Sequence, residues 1–510
     1  MQRNYPRCDR SNKICMKKFF LSLTPFQATA ILILATTLMR LVAGASTELT
    51  TDEAHYALFG LHLDWSYFDH PSMIGWLQAF VLLFSDSDLA LRIMPILLFS
   101  LASLTLFKVT VTLFPHESPW TGFVSVALMQ SAVMLQLIGL AMLPDGPLLL
   151  LGLLVILVLH RILNEGGLRP WLWLGLWLGL AGLSKYTAVS LIFTVLLALL
   201  ISKQWRHLRT PGPWLALSIG LLLIMPVLYW NYSHDWISFL YQIHHGTGKL
   251  NWELKRVFIS QAGQLLVYGP GIYVFGMIAV IAGLKKFKRL GEPNERGMML
   301  MLALAMPLLL LFGWNSGYEM TLPHWTSLCW IALSPLAARW IMHSWNKRWV
   351  RIGVFGSIVY AVIFVGVIFC QLISPWIPFP ENQNVLKDLY GWGQAAHRAE
   401  QLRAGMDSAA KPAPYIFTDN WTRASRLAWY ARPTPVQVLD TRYDQFDIWF
   451  GSPKEGTRGI LVLWPAENAQ PETGGSGQFA SCVLREKMPI KVNGRLASTF
   501  SFYACDDYKN

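Results

Sequence analysis

Apolar residues fall in long blocks along this chain, separated by short polar connectors, and the blocks have the length of membrane crossings. A bilayer core takes about 20 apolar residues of helix. Eleven blocks approach that length, near 26–45, 90–113, 119–138, 147–163, 170–183, 187–202, 213–230, 262–284, 298–313, 323–341 and 350–371. The fifth is short, with only Ser184, Lys185 and Tyr186 between it and the sixth. It either tilts, thins the bilayer locally or pairs with the sixth as a bent hairpin. The block pattern lapses twice. In 46–89, Asp52 to Asp64 reads as a short helix opening with Thr50-Thr51-Asp52-Glu53, a cap followed by an acidic first turn. Met73 to Phe84 is too short to cross, and both segments are expected at the interface. Beyond Ser374-Pro375-Trp376-Ile377-Pro378 the pattern becomes strand-like at Tyr415–Phe417, Val436–Leu439, Gly459–Trp464 and Thr499–Ala504, with a helical stretch at Thr422–Ala431.

Composition agrees with the blocks. Of 510 residues 54% are hydrophobic and 14% charged, which excludes an ordinary soluble domain, where about a quarter are charged. The formal charge of +12 is parcelled between apolar blocks instead of forming a stripe, so nucleic acid is not an expected partner. Loops on one side carry twenty Lys and Arg, and those on the other carry only Lys185, Lys249, Lys255 and Arg256. Positive loops stay inside, so the basic segment 1–25 is expected in the cytoplasm and 372–510 outside. A cleaved signal peptide ending at Ala28-Thr29-Ala30 is the rival reading, but the apolar run continues to Val42. The expected organisation is therefore a basic N-terminus, a membrane domain over 26–371 with an outer loop at 46–89, and an outer α/β domain over 372–510. Cys482 and Cys505 both fall on strand-like segments of that tail, and whether they pair is open.

Ionisable residues gather at the outer face. Asp52, Glu53, Asp64, Asp69 and His70 lie in the first loop. Arg40 lies inside the first block, Arg92 opens the second, Asp145 sits between Pro144 and Gly146, and Lys185 fills the short turn. Buried charge near a membrane is costly and usually faces a cavity with a purpose, although Arg40 can snorkel and Arg92 can anchor. Cations beside carboxylates suit an anionic lipid head group with a base next to it. Glu53 either caps its helix or orients Asp52. Asp69 and Asp145 either bind sugar or acceptor, or hold the loop to Lys185. Tyr186 and His324 also lie at this face. No dense ligand spacing marks a metal motif, so no obligatory cofactor is expected, with a divalent cation between Asp52, Asp69 and phosphate as the alternative.

The order of short motifs carries a resemblance. Asp52-Glu53-Ala-His-Tyr, Leu63-Asp64-Trp65-Ser-Tyr67-Phe68-Asp69-His70-Pro71, Leu143-Pro144-Asp145-Gly-Pro147 and Gly182-Leu183-Ser184-Lys185-Tyr186-Thr187 are followed by Trp230-Asn231-Tyr-Ser-His234-Asp235-Trp236. Leu389-Tyr390-Gly391-Trp392, Thr418-Asp419-Asn420-Trp421 and Tyr443-Asp444-Gln445-Phe446-Asp447-Ile448-Trp449 complete the series. Together they resemble the bacterial GT-C polyprenyl-phosphate-sugar glycosyltransferases related to protein O-mannosyltransferases and lipid A aminoarabinose transferases. The resemblance implies a polytopic α-helical inner-membrane enzyme with a C-terminal periplasmic α/β domain. It would move a sugar from a polyprenyl monophosphate to an envelope lipid, glycan or protein. It further implies Asp52 as general base beside Glu53, with Arg92, Lys185, Arg40 and His70 toward the donor phosphate and Asp69, Asp145, Tyr186 and His324 toward sugar or acceptor. A transporter using the same charges is the rival. It calls for polar residues at mid-span and two related halves, and no repeat is visible.

Overall fold

The computed structural model describes residues 23–246, 251–406, 413–464 and 478–509. Residues 1–22, with Cys8 and Cys15, and Lys249 lie outside the described residues. Helix occupies every apolar block. Among the described residues seven helices are long and apolar enough to cross a bilayer alone: Pro25–Ser46, Asp88–Leu113, Asp145–Glu165, Pro211–Ser233, Leu254–Lys285, Pro293–Asn315 and Arg348–Ile373. The other four blocks form shorter helices. The 16 residues of Arg169–Ser184 rise about 24 Å, short of a bilayer core of about 30 Å. The block near 119–138 breaks at Ala132, where the backbone turns extended between Trp120–Ser131 and Val133–Ile138. Leu254–Lys285 kinks at Gly269, whose φ of 76° suits glycine, and Pro270 follows without an N–H to give.

Close helix contact has a simple local cause. Gly175 and Gly179 of Arg169–Ser184 face Ala216 and Gly220 of Pro211–Ser233. A Cβ at Gly175 would lie 2.6 Å from the Ala216 carbonyl oxygen, so only glycine admits this approach. Small residues four apart on both helices make such a seam, where backbone packing replaces the missing hydrophobic drive in lipid.

The tail forms a five-stranded sheet in the order β2-β1-β3-β5-β4, with β1 Tyr415–Thr418, β2 Val436–Val438, β3 Gly459–Leu463, β4 Phe479–Val492 and β5 Arg495–Tyr508. The first three are parallel neighbours, connected through helices Trp421–Tyr430 and Gln445–Phe450. β3 to β5 and β5 to β4 are antiparallel. Asn493 and Gly494, both at positive φ, close the β4–β5 hairpin, a turn these two residues favour. Pro489 is tolerated because β4 is an edge strand.

The outer loop and the tail do not have separate cores. Leu49, Ala54, Ala57 and Leu58 are buried in one cluster with Trp392, Ile416, Leu427, Ile460 and Phe502. The Thr51–Leu61 helix is consequently buried from Glu53 to Gly60. Met73–Leu82 and the turn after it leave Phe80, Leu83 and Phe84 exposed, as an interfacial segment does.

On the opposite face of the sheet, Cys482 and Cys505 are cross-strand partners and form a disulfide. At a sequence separation of 23, the chain-entropy relation gives about 3 kcal/mol of stabilisation. Replacing both by Ser should lower the tail's unfolding free energy by about that amount, and reductant should do the same to the wild type. Unchanged denaturant unfolding of the double variant would contradict this.

Candidate active site

The first turn of Thr51–Leu61 builds the site. Thr50 caps the helix, its hydroxyl accepting from the Glu53 amide while Glu53 Oε2 accepts from the Thr50 amide at 3.0 Å. The same carboxylate takes a forked ion pair from Arg92, Nε to Oε1 at 2.7 Å and Nη2 to Oε2 at 2.8 Å. Arg92 also donates to the carbonyls of Gly44, Thr47 and Glu48. All five guanidinium N–H groups are spent.

The Arg92 expectation changes, and the capping alternative for Glu53 is the one observed. Arg92 has nothing left for a donor phosphate, because the end of the first span and Glu53 already satisfy it. Glu53 is not free for catalysis, since its two oxygens serve the cap and the fork. Arg40 is also placed differently. It is wholly buried against the face of Phe99, 4.5 Å from the ring centre, and donates to Gln136 Oε1 at 3.0 Å and Gln130 Oε1 at 2.7 Å. It therefore serves the break at Ala132, inside the bundle, and makes no contact with Lys185 or Asp145.

Asp52, one residue before Glu53, points elsewhere. Its carboxylate has no hydrogen bond among the described residues and stays partly accessible although protein surrounds it. Burial, then the neighbouring Glu53 charge, raises its pKa to about 6, while Arg426 and Lys185 oppose the shift and Asp145 adds to it. Asp52 thus shares a field with Asp145, Lys185 and Arg426. A carboxylate with a pKa near 6 is ionised at neutral pH and basic enough to take a proton.

Lys185 and Asp145 are bonded across 40 residues, Nζ lying 2.9 and 2.7 Å from the two oxygens. Ser327 also donates to Asp145 at 3.2 Å. His324 lies within the field of this pair. Tyr186 reaches the Ser66 hydroxyl at 3.4 Å, connecting the short turn to the outer loop. From Lys185 and Tyr186 an apolar groove of about 400 Å³ runs along Leu178, Ile192, Leu196 and Leu221 to Trp214.

Asp69 and His70 form the other wall. Asp69 stands 4.0 Å from His55 Nε2 and 3.9 Å from His70 Nε2, and its Oδ1 has no hydrogen-bond partner. Burial raises its pKa to about 7, with the Asp52 charge adding to the shift and Arg442 opposing it. Burial holds both histidines neutral, at about 3. Among the described residues no group of three His, Cys, Asp or Glu is placed to hold a metal ion.

Three participants lay outside the expected set. Ser425 holds His55 Nδ1 at 3.0 Å, Arg426 exerts the strongest opposing charge on Asp52, and Tyr430 accepts from the Leu49 amide while donating to Asp88. All stand on Trp421–Tyr430, which packs on the Thr51–Leu61 helix. The motif Thr418-Asp419-Asn420-Trp421 precedes them, with Asn420 accepting from the Arg423 amide as the helix cap, a signal for the helix but not for what it touches.

Residues 69–230 match the family model described as dolichyl-phosphate-mannose-protein mannosyltransferase. Lipid A galacturonosyltransferase RgtD of Rhizobium johnstonii is 25% identical over 451 residues, covering 85% of this chain and 90% of the relative. The crystal structure of ArnT from Cupriavidus metallidurans bound to undecaprenyl phosphate superposes with a TM-score of 0.59 at 14% identity, covering 93% of this chain and 97% of that one. The archaeal oligosaccharyltransferase AglB of Archaeoglobus fulgidus, in complex with an inhibitory peptide and a dolichol-phosphate, gives 0.51 at 12% identity over 90% of this chain and 71% of that one. The chain is a membrane glycosyltransferase of the GT-C fold.

In this glycosyltransferase the Glu53–Arg92 pair is a positioning device, and removing one partner leaves the other charge buried alone. Arg92→Ala should cost about 3–5 kcal/mol of stability. Unfolding of the purified variant checks this, and a loss below about 1 kcal/mol would contradict a structural role for the pair.

Proposed function

We propose that the protein transfers a sugar from a polyprenyl monophosphate to an envelope acceptor at the periplasmic face of the inner membrane, with Asp52 as general base and inversion at the anomeric carbon. The acceptor hydroxyl or amine gives its proton to Asp52 as its oxygen or nitrogen attacks C1. The bond from C1 to the phosphate oxygen breaks, and polyprenyl phosphate leaves with the electron pair. That leaving group needs little help beyond orientation and charge stabilisation.

The observation that carries this reading is the juxtaposition of the apolar groove, the Lys185 end of that groove, and Asp52 within the same electrostatic field. The groove suits a polyprenyl tail. Asp145 occupies two of the three donors of the Lys185 ammonium, which leaves one for a phosphate oxygen. His70 and Tyr186 are assigned beside that phosphate and its sugar, with Asp69 and His324 toward the sugar or acceptor. The lipid-phosphate complexes of ArnT and AglB, together with the lipid A transferase relative, support a lipid-linked donor. The disulfide in the tail supports an oxidising compartment there, and the distribution of positive loops supports the same orientation.

Asp52→Asn should abolish transfer from a radiolabelled polyprenyl-phosphate sugar in membranes, by at least about a hundredfold, while donor binding and folding persist. Unaffected transfer would remove Asp52 from the base role. In the wild type the ionised base is the active form, so transfer should rise with pH through about 6 and level off above it. A rate independent of pH between about 5 and 8 would contradict the assignment.

A further inference from the structure

A second cavity, of about 410 Å³, opens where Pro211–Ser233 ends, and its lining includes Ser233, His234, Asp235 and Leu240 on one side and Tyr443 and Ile448 on the other. Two motifs noted in the sequence, Trp230–Trp236 and Tyr443–Trp449, thus face one another across it, and the transfer mechanism uses neither. The backbone here is unusual. Asp235 and Trp236 are consecutive residues at φ 52° and 60°, a conformation costly for a bulky side chain and typical of functional loops. It is held by the Trp236 amide donating to the Asn231 carbonyl at 2.7 Å.

The polar groups lining the cavity are a carboxylate, an imidazole and two hydroxyls. His234 donates its Nδ1 proton to the Trp230 carbonyl at 2.8 Å, and its ring stacks on Trp230 at 3.9 Å. Asp235 adds an exposed carboxylate, and Tyr443 adds a ring that is 55% exposed. None of the described lining residues is a lysine or arginine, and Asp235 carries the formal charge. Such a lining disfavours phosphate and suits a ligand rich in hydroxyl donors with an apolar ring face, which is the chemistry of a sugar.

Position indicates where that sugar comes from. Tyr229, Tyr232 and Trp236 are 66%, 70% and 44% exposed at this end of the span, the aromatic belt of a membrane interface. The cavity therefore opens at head-group depth. The segments that carry its lining are also bonded to the 46–89 loop: Ser238 to the Tyr67 carbonyl at 2.9 Å, Gln242 to the Asp69 carbonyl at 2.7 Å, and the Phe68 amide to Gln445 at 2.8 Å.

We propose that this cleft holds the sugar head group of a membrane glycolipid acceptor, with Tyr443 stacking on the ring and Asp235 and His234 accepting its hydroxyls. The donor then binds at the Lys185 end of the apolar groove, and the acidic cleft across the Tyr67–His70 loop receives the acceptor. This rests on the glycosyltransferase reading and names its acceptor class. The test uses the full-length protein in detergent and radiolabelled glycolipids extracted from the membranes of the source cell. Wild type and Asp52→Asn should retain the same amount of label. Tyr443→Ala and Asp235→Asn should retain about tenfold less, whereas Tyr443→Phe, which keeps the ring, should retain nearly the wild-type amount. Unlabelled glycolipid should compete and phosphatidylglycerol micelles should not. Equal retention by the two cleft variants, no retention by wild type, or equal competition by phosphatidylglycerol would overturn the proposal. Transfer measured in parallel separates the two readings. A dead Asp52→Asn enzyme with normal retention in the cleft variants removes the cleft alone, and an active Asp52→Asn enzyme with retention lost in the cleft variants removes the base alone.

Discussion

One buried ion pair sets the geometry on which everything else depends. Glu53 and Arg92 lie 39 residues apart, and their forked contact joins the first turn of the outer helix to the start of the second span. Arg92 also gathers the last carbonyls of the first span, so a single guanidinium ties three elements together. A fork of this kind restrains rotation as well as distance. Because Glu53 is held, Asp52 next to it stands apart from the fork, with Lys185 and Arg426 in its field and no hydrogen-bond partner among the described residues. The pair has little net stabilising value relative to an apolar substitute. Its effect is to aim a neighbouring carboxylate.

The tail is a clamp on that helix. Glu48 accepts from the amides of Trp392 and Gly393, placing a carboxylate at a helix N-terminus where the dipole favours it. Tyr430 reaches back to Leu49 and Asp88, and the apolar faces of the Thr51–Leu61 and Trp421–Tyr430 helices share one core. Burial from both sides strips part of the water from around Asp52 and raises its pKa, so the sheet contributes to the chemistry by desolvation without bearing the base.

Much of the fold could be read from the chain because lipid imposes a length. Every apolar block became a helix, and the strands at Tyr415, Val436 and Gly459 follow their β-branched and aromatic runs. Asn493-Gly494 announces the hairpin, a signal that sequence reading passed over although it placed Cys482 and Cys505 on strand-like segments. The candidate site was legible in part. Asp52, Asp69, Asp145 and Lys185 could be singled out because charge beside apolar blocks is conspicuous. Their pairings could not be. Arg92 and Arg40 look alike as intramembrane cations, and only the coordinates show one spent on Glu53 and the other on two glutamines. Ser425 and Arg426 lie some 370 residues from the loop they serve, on a helix whose pattern reports its own burial and nothing of its partner.

The most direct test of the account is the titration of Asp52 itself, followed by carboxyl carbon NMR in the full-length protein with Asp52→Asn identifying the signal. Aimed into a shielded crevice, the group should titrate near pH 6, and Arg92→Lys, which loses the fork, should move it toward the ordinary aspartate value of about 3.9. A midpoint at that ordinary value in the wild type would mean that Asp52 faces water, contradicting the account.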